Sequence, residues 1–354
     1  MNMKMRCYCI TEYKQPLLRM DVPVPVPTGD QVLVKVQAAG VCHSDLHIWE
    51  GGYDLGNGRM LSLKERGATL PQVLGHETAG VAVAAGESAA GIELGKSYLV
   101  YPWIGCGQCP VCLAGDENLC AAAKSLGVLA PGGYAEYILV PKAKYLLPLG
   151  DMDPVAAAPY ACSGVTTYSA LKKIGPSLRD VPIVIFGAGG LGLMCISIAN
   201  AMGAKGVVAV EIDPQKRQAA LAAGAKAAID GKAPDAAAQI LAAVGRAPLG
   251  AIDFVGAPQT SEMGFNLLAK GGKLVMVGLF GGVSTFSLAL IAVRGVSVVG
   301  SLVGNLQDLT ELMALVRAGK VPRIPITRQP LDKANDTLMA LHDGKVVGRS
   351  VLVP

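Results

Sequence analysis

Apolar positions follow two regimes along this chain. In the first part they form short runs between turn residues, Val32-Leu-Val-Lys-Val36 and Gly80-Val-Ala-Val-Ala84, after the proline-spaced Val22-Pro-Val-Pro-Val-Pro27. Short apolar strands with frequent turns predict a small barrel-like unit. Near Ala157 the pattern changes. A helix ending at Ala170-Leu-Lys-Lys173 precedes Val181-Pro-Ile-Val-Ile-Phe186, whose unbroken apolar run predicts a buried strand. Strands over 207–211, 251–255 and 273–277 then alternate with helices over 214–223, 233–243 and 261–269. Such alternation implies a parallel sheet with right-handed crossovers. From residue 301 a helix over 306–318 and short strands near Pro325 and Ser350 predict a return to the first unit. The expected organisation is α/β: a doubly wound parallel sheet over 161–300 inserted in a mainly-β unit made of 1–160 plus 301–354.

Bulk properties narrow the classes. A length of 354 residues suits two domains at roughly 150 residues each. With 51% hydrophobic and 16% charged residues the chain can bury large cores and is not disordered. A net charge of +4 without a block of like charges argues against nucleic acid or a membrane surface as partner. The stretches 181–204 and 274–293 are long and uncharged enough to span a bilayer. Glycine pairs break both, Gly189-Gly190 and Gly281-Gly282, so buried strand–turn elements are the better reading. Met1 to Arg6 lacks the apolar core of a leader, and the expectation is a cytoplasmic protein.

Chemistry enters with the cysteines, nine in all. Cys106, Cys109, Cys112 and Cys120 fall in one short segment, so a lobe over 104–121 can close around a single ion. Four thiolates favour zinc in a tetrahedral cage, with iron or a redox pair as the alternative. Without a secretion signal, clustered thiols read as ligands rather than as a disulfide framework.

After the buried strand comes Gly187-Ala-Gly189-Gly190-Leu191-Gly192, which fits G-x-G-x-x-G and opens a helix over 191–202. The first glycine permits the turn, the second admits a pyrophosphate, and the third lets helix pack on strand. A plain packing turn would look the same. Glu211 raises the weight of the cofactor reading: it lies 19 residues past Gly192, at the end of the next strand. A carboxylate there accepts hydrogen bonds from ribose hydroxyls and repels a 2′-phosphate, which favours NAD over NADP. Lys216 is close enough in sequence to reach the same ribose, and with Arg217 it could soften that preference.

Three further segments, Gly40-Val-Cys42-His43-Ser44-Asp45-Leu46-His47, Gly75-His76-Glu77 and Tyr160-Ala-Cys162-Ser-Gly164, join these motifs in order. Together, from about Val32 to the C-terminus, they resemble the zinc-dependent alcohol dehydrogenases of the medium-chain dehydrogenase/reductase superfamily, in their tetrameric microbial form. The resemblance implies a Rossmann-type domain inserted in a GroES-like catalytic domain. It implies two zinc ions per chain: a catalytic one on Cys42, His76 and Cys162, and a structural one in the four-cysteine lobe. By the same resemblance Glu77 is the acid beside the metal, Asp45 orients the imidazole of His76, and Ser44 passes the alcohol proton toward His47 and solvent. His43 and Arg349 would lie near the pyrophosphate. Trp49, Tyr53 and Trp103 are candidate pocket-lining rings. Between Cys42 and His76 lie 33 residues, more than in many members of that family. The extra material falls within 53–69, as a surface excursion or as a loop at the mouth of the substrate cleft.

The expected function is reversible NAD-dependent oxidation of a primary or secondary alcohol to an aldehyde or ketone by hydride transfer. A small alcohol or carbonyl is the expected partner, and a homotetramer or homodimer the expected assembly. Two alternatives stay open: a polyol or hydroxyacyl dehydrogenase of the same fold, and a zinc-stapled nucleotide-binding module without catalysis.

Overall fold

The computed structural model describes residues 3–354; Met1 and Asn2, the start of the stretch read for a leader, lie outside the described residues. The larger β layer has seven strands. Its main path runs Leu146–Pro148, Ser97–Val100, Glu77–Ala85, Val32–Val41, Arg349–Val353, Ile326–Pro330, and Tyr137–Val140 also pairs with Val32–Val41. Val32–Val41 is buried except at Lys35 and Gln37, as its apolar run predicts for a central strand. A three-stranded sheet of Leu18–Pro23, Lys4–Ile10 and Gln72–Val73 lies beside it. The predicted return of the tail is present: Ser350 stands opposite Val41 in an antiparallel pair, and Ile326–Pro330 runs parallel to the last strand.

The second layer is a six-stranded sheet whose pairs are all parallel. Its order is Ala227–Ile229, Val207–Val210, Ile183–Phe186, Gly250–Asp253, Lys273–Met276, Ser297–Gly300. Counted from its own first strand this is the 3-2-1-4-5-6 order of doubly wound dinucleotide folds. Ile183–Phe186 is wholly buried at the centre, and the helix Gly190–Ala201 follows it directly. The uncharged stretch 181–204 is therefore a strand, a turn and a helix. The stretch 274–293 resolves likewise into the strand Lys273–Met276 and the short helix Leu288–Arg294. No helix among the described residues is long and apolar enough to cross a membrane.

Several elements escaped the hydrophobic pattern. The helices His43–Glu50 and Ala334–His342 mix polar and apolar positions, and Ala227–Ile229 and Ser297–Gly300 are short edge strands. The 53–69 segment begins as a hairpin, Gly52–Gly56 with Arg59–Ser62. It turns through Gly56-Asn57-Gly58, all at positive φ, where Asn-Gly chemistry is favoured. The tip lies on the parallel-sheet half: a side chain on Gly56 would stand 2.6 Å from Val283 Cγ2.

The helix Gly190–Ala201 comes so near its strand that a Cβ on Gly192 would overlap the carbonyl oxygen of Gly187. Gly192→Ala is expected to cost about 1–3 kcal/mol through this overpacking. The check is a lower urea midpoint at unchanged slope; an unchanged midpoint would mean the turn yields freely.

Candidate active site

Sheet register gathers the first group of side chains. Gly40 pairs with Glu77 and Ser350 with Val41, so three neighbouring strands end together. Cys42 follows one of them, His76 precedes the next, and Arg349 opens the third. The turn Ala158–Ala161 packs on these strands and delivers Cys162 to the same end. One ligand atom from each of Cys42, His76 and Cys162 lies within 4.8 Å of the others, and all three residues are buried.

Burial makes this group chemically distinctive. His76 is 1% exposed, and its Nε2 has no hydrogen-bond partner. Leaving such a nitrogen unsatisfied is costly, so its neighbours, two sulfur atoms, point to a divalent ion as the missing partner. On the other side of the ring, Nδ1 lies 3.1 Å from Asp45 Oδ1, a close charged contact rather than an aligned hydrogen bond. Asp45 is fixed in turn: its Oδ2 accepts from the Cys42 backbone N–H at 2.9 Å and from the Tyr134 hydroxyl at 3.0 Å. Burial acts to lower the His76 pKa, but Asp45 and the Cys42 sulfur outweigh it and hold the ring well above its ordinary value. Cys42 is held well below its ordinary value by the hydrogen bond from Cys162, with Arg349 and His76 assisting against burial. Cys162 is correspondingly pushed up. Metal ligation takes deprotonated sulfur and neutral imidazole, so a cation bound here would release protons.

Glu77 is fully buried and ion-paired to Arg349, and its Oε1 accepts from the Ser163 backbone N–H at 3.2 Å. Burial pushes its pKa up to about 7 even with that arginine in contact. Arg349 also reaches the glycine turn, where a Cβ on Gly190 would lie 2.5 Å from its Cδ. Its Nε is buried without a partner, a donor suited to an anion at this turn. The turn itself is open where a phosphate would sit: Gly187 has φ +89°, and a side chain at Gly189 would meet nothing within 4 Å. These features fit a dinucleotide pyrophosphate. Leu191 lies in the first turn of the following helix.

Glu211 accepts from the Ala188 N–H at 2.8 Å and the Asp213 N–H at 3.0 Å, so its carboxylate is fixed at the rim of the turn with lone pairs to spare. Arg217 is tied to the carbonyls of Glu211 and Ile212, both at 2.9 Å, and lies 3.5 Å from Asp230. It is therefore occupied rather than free to grasp a 2′-phosphate. Lys216 is half-buried in the first turn of the helix Pro214–Ala222.

Ser44 and His47 are three apart on the helix His43–Glu50, hence on one face, and His43 is exposed at its start. The His47 ring packs on Tyr53 at 5.2 Å and its Nδ1 lies 3.5 Å from Glu50. Burial pushes the Tyr53 hydroxyl up to about 12. Trp103 stands 5.4 Å from the His76 ring and donates to the Ala161 carbonyl at 3.0 Å. Trp49 stands apart from this set. Its indole donates to the Gln15 carbonyl at 2.6 Å and its ring meets His342, so its partners are surface segments rather than the cluster. Tyr134 went unread in the sequence because its bond to Asp45 spans 89 residues.

The other four cysteines form the expected lobe. Sγ separations of 3.4 Å for Cys109–Cys112 and 3.9 Å for Cys106–Cys112 and Cys109–Cys120 bracket the ~3.8 Å edge of a tetrahedron with ~2.3 Å bonds. Glu117, also unread in the sequence, anchors the lobe. It accepts from the Gly105 N–H at 3.1 Å, Lys144 at 2.5 Å and the Tyr145 hydroxyl at 2.6 Å. A cavity of about 700 Å³ lies between the lobe and the N-terminal strand; of all the candidate residues only Cys106 lines it.

Known proteins share this fold. Residues 28–151 match the family model described as alcohol dehydrogenase GroES-like domain, and residues 190–318 match that described as zinc-binding dehydrogenase. The chain is 40% identical to the NAD-dependent alcohol dehydrogenase of Sulfurisphaera tokodaii over 99% of this chain and 100% of that protein. It is 36% identical to an alcohol dehydrogenase of Geobacillus stearothermophilus, over 98% of each. The crystal structure of the alcohol dehydrogenase of Aeropyrum pernix superposes with a TM-score of 0.89 at 33% identity, covering 99% of this chain and 100% of that one. That of the D-arabinose dehydrogenase of Sulfolobus solfataricus gives 0.85 at 29%, with the same coverage.

Although burial alone would raise the Glu117 pKa, Lys144, Tyr145 and the Gly105 N–H hold it below its ordinary 4.5. Its stabilisation is present above pH 4.5 and is lost as pH falls through the depressed folded value. Glu117→Gln is expected to cost about 2 kcal/mol at neutral pH. The deficit in thermal midpoint should shrink as the medium is acidified from pH 4.5 through the depressed folded value; a pH-independent deficit would contradict this.

Proposed function

The chain belongs to the zinc-dependent alcohol dehydrogenases of the medium-chain dehydrogenase/reductase superfamily, and from that membership we propose that it interconverts primary or secondary alcohols and their aldehydes or ketones with NAD(H). The observation that carries this reading is the orphaned Nε2 of His76 between two buried sulfurs, one arginine away from an open glycine turn. Cys42, His76 and Cys162 would hold the catalytic zinc, and Cys106, Cys109, Cys112 and Cys120 a second, structural one. Residues 161–300 are read as the cofactor domain and 1–160 with 301–354 as the catalytic domain. Bound in these places, zinc supplies Lewis-acid polarisation of an alcohol oxygen and the nicotinamide supplies the carbon that accepts hydride.

The remaining work falls to the chain. Asp45 keeps Nδ1 of His76 engaged so that Nε2 faces the sulfurs. Ser44 takes up the alcohol's hydroxyl proton and passes it through the ribose hydroxyl to His47, which lies on the same helix face and carries it toward solvent. Glu77 and Arg349 couple the two halves of the site: one guanidinium contacts both the acid behind the cluster and the turn that would hold the pyrophosphate. The latter group would be steadied by His43, Leu191 and the N–H groups of Gly187, Gly189, Gly190 and Gly192, and the ribose by Glu211 and Lys216. Trp103 and Tyr53 are read as walls of the substrate pocket; the placement of Trp49 gives it no support as a third. The hairpin over 52–62 sits at the cleft mouth in this reading, since its tip contacts the opposite domain.

Assembly as a homo-oligomer is supported by the edge strand Ser297–Gly300, with Val298 39% exposed and Leu288 and Val293 nearby at 82% and 72%. An apolar, unpaired strand edge is an invitation to a second copy. All nine cysteines are free, which supports a reducing, cytoplasmic setting.

Two measurements test the reading. Metal analysis is expected to give two zinc ions per chain, falling to one in His76→Ala with turnover down at least about a thousandfold; full turnover in a chain lacking that ion would refute it. A panel of simple alcohols, polyols and aldoses with NAD and NADP should favour simple alcohols with NAD. Glu211→Ser should then erode the preference for NAD by about tenfold or more; superior aldose turnover would instead move the substrate toward that of the arabinose-oxidising relative.

A further inference from the structure

Three consecutive side chains of the four-cysteine lobe reach three different places. Glu117 binds the barrel, as described above. Asn118 donates through Nδ2 to the Leu302 carbonyl at 2.9 Å, and Asp116 Oδ1 accepts from Asn305 Nδ2 at 2.9 Å. Between those two points the buried Tyr101 hydroxyl donates to the Gly304 carbonyl at 2.9 Å. All three bonds grip residues 302–305. This segment leaves the last parallel strand, Ser297–Gly300, and enters the helix Leu306–Arg317, after which the chain rejoins the barrel sheet.

In the middle of the gripped segment sits Val303 with φ +43°. A β-branched residue in the left-handed region is strained and persists only where its surroundings impose it. Here the carbonyls of both neighbours, Leu302 and Gly304, are held from the barrel side. Gly304 also backs onto the helix Ser163–Ile174, where a Cβ would stand 2.8 Å from Val165 Cγ2. That helix begins immediately after Cys162. The crossover is therefore pinned in one strained form against the helix that follows a metal-ligand candidate.

We propose that Asp116, Asn118 and Tyr101 are positioning residues for the cofactor: by clipping the crossover 302–305 they set how the glycine turn faces the Cys42–His76–Cys162 cluster. This rests on the NAD reading of the glycine turn. The lobe then has a role beyond local stability, because its side chains hold the segment by which the chain passes from the parallel sheet back to the barrel.

The test uses the full, metal-replete chain with three variants, Asn118→Ala, Asp116→Ala and Tyr101→Phe. Hydrogen exchange at the amides of Val303, Gly304 and Asn305 should quicken at least about threefold in each, as expected for losing one hydrogen bond. NADH affinity should weaken by about three- to tenfold, with KM for NAD rising by a similar factor and kcat changing less than about twofold. Zinc content should stay at the wild-type level. Asp116→Asn keeps an acceptor oxygen and should restore wild-type values. Unchanged exchange overturns the proposal. So does faster exchange with unchanged NADH affinity, which would make the contacts structural only, and so does zinc loss that accounts for the whole effect. A wild-type chain that binds no NADH would instead refute the NAD reading and remove the positioning role with it, while the exchange rates would still report whether the clip exists.

Discussion

A buried imidazole nitrogen with nothing to bond is the constraint around which this molecule is organised. Protein interiors tolerate few such groups. The chain has nonetheless invested an acid, Asp45, and a tyrosine, Tyr134, in holding His76 where Nε2 meets two sulfurs. Those partners come from separate strands and loops whose only common property is that they end at one edge of one sheet. A cation would resolve the deficit, and because it takes thiolate and neutral imidazole as ligands its binding would release protons.

The second constraint is that the cofactor turn and the metal cluster belong to different sheets. Arg349 spans the gap from the C-terminal strand, meeting Glu77 on one side and the glycine turn on the other. Because that strand lies beside Val32–Val41, the return of the tail to the barrel is what brings the guanidinium to the site. Burying a charged pair with unsatisfied atoms does little for stability by itself; its use here is to join two surfaces that must face each other. The lobe's clip on the crossover acts on the same relation beside the last strand of the parallel sheet.

Much of this was legible in the sequence because the relevant signals are local. Four cysteines within one turn-rich segment, a glycine fingerprint after an apolar run, and an acid one strand later each announce their chemistry over short distances. The apolar runs likewise give the central strands Val32–Val41 and Ile183–Phe186. What stayed hidden depends on long-range pairing. Tyr134, Glu117 and the grip of Asn118 on Leu302 are ordinary polar residues in ordinary contexts, and only the fold gives them partners. The hairpin after Gly52 looked like loop because its strands are short and exposed. Trp49 shares a helix with the site residues, but the helix turns its ring toward Gln15 and His342 instead. A helical neighbour need not share a face.

The most direct measurement is anomalous diffraction at the zinc edge from crystals of active protein grown with NADH. The account predicts a peak about 2.0–2.3 Å from Cys42 Sγ, His76 Nε2 and Cys162 Sγ, with a coordination position open toward the nicotinamide. Active crystals with no metal at those three atoms would contradict it.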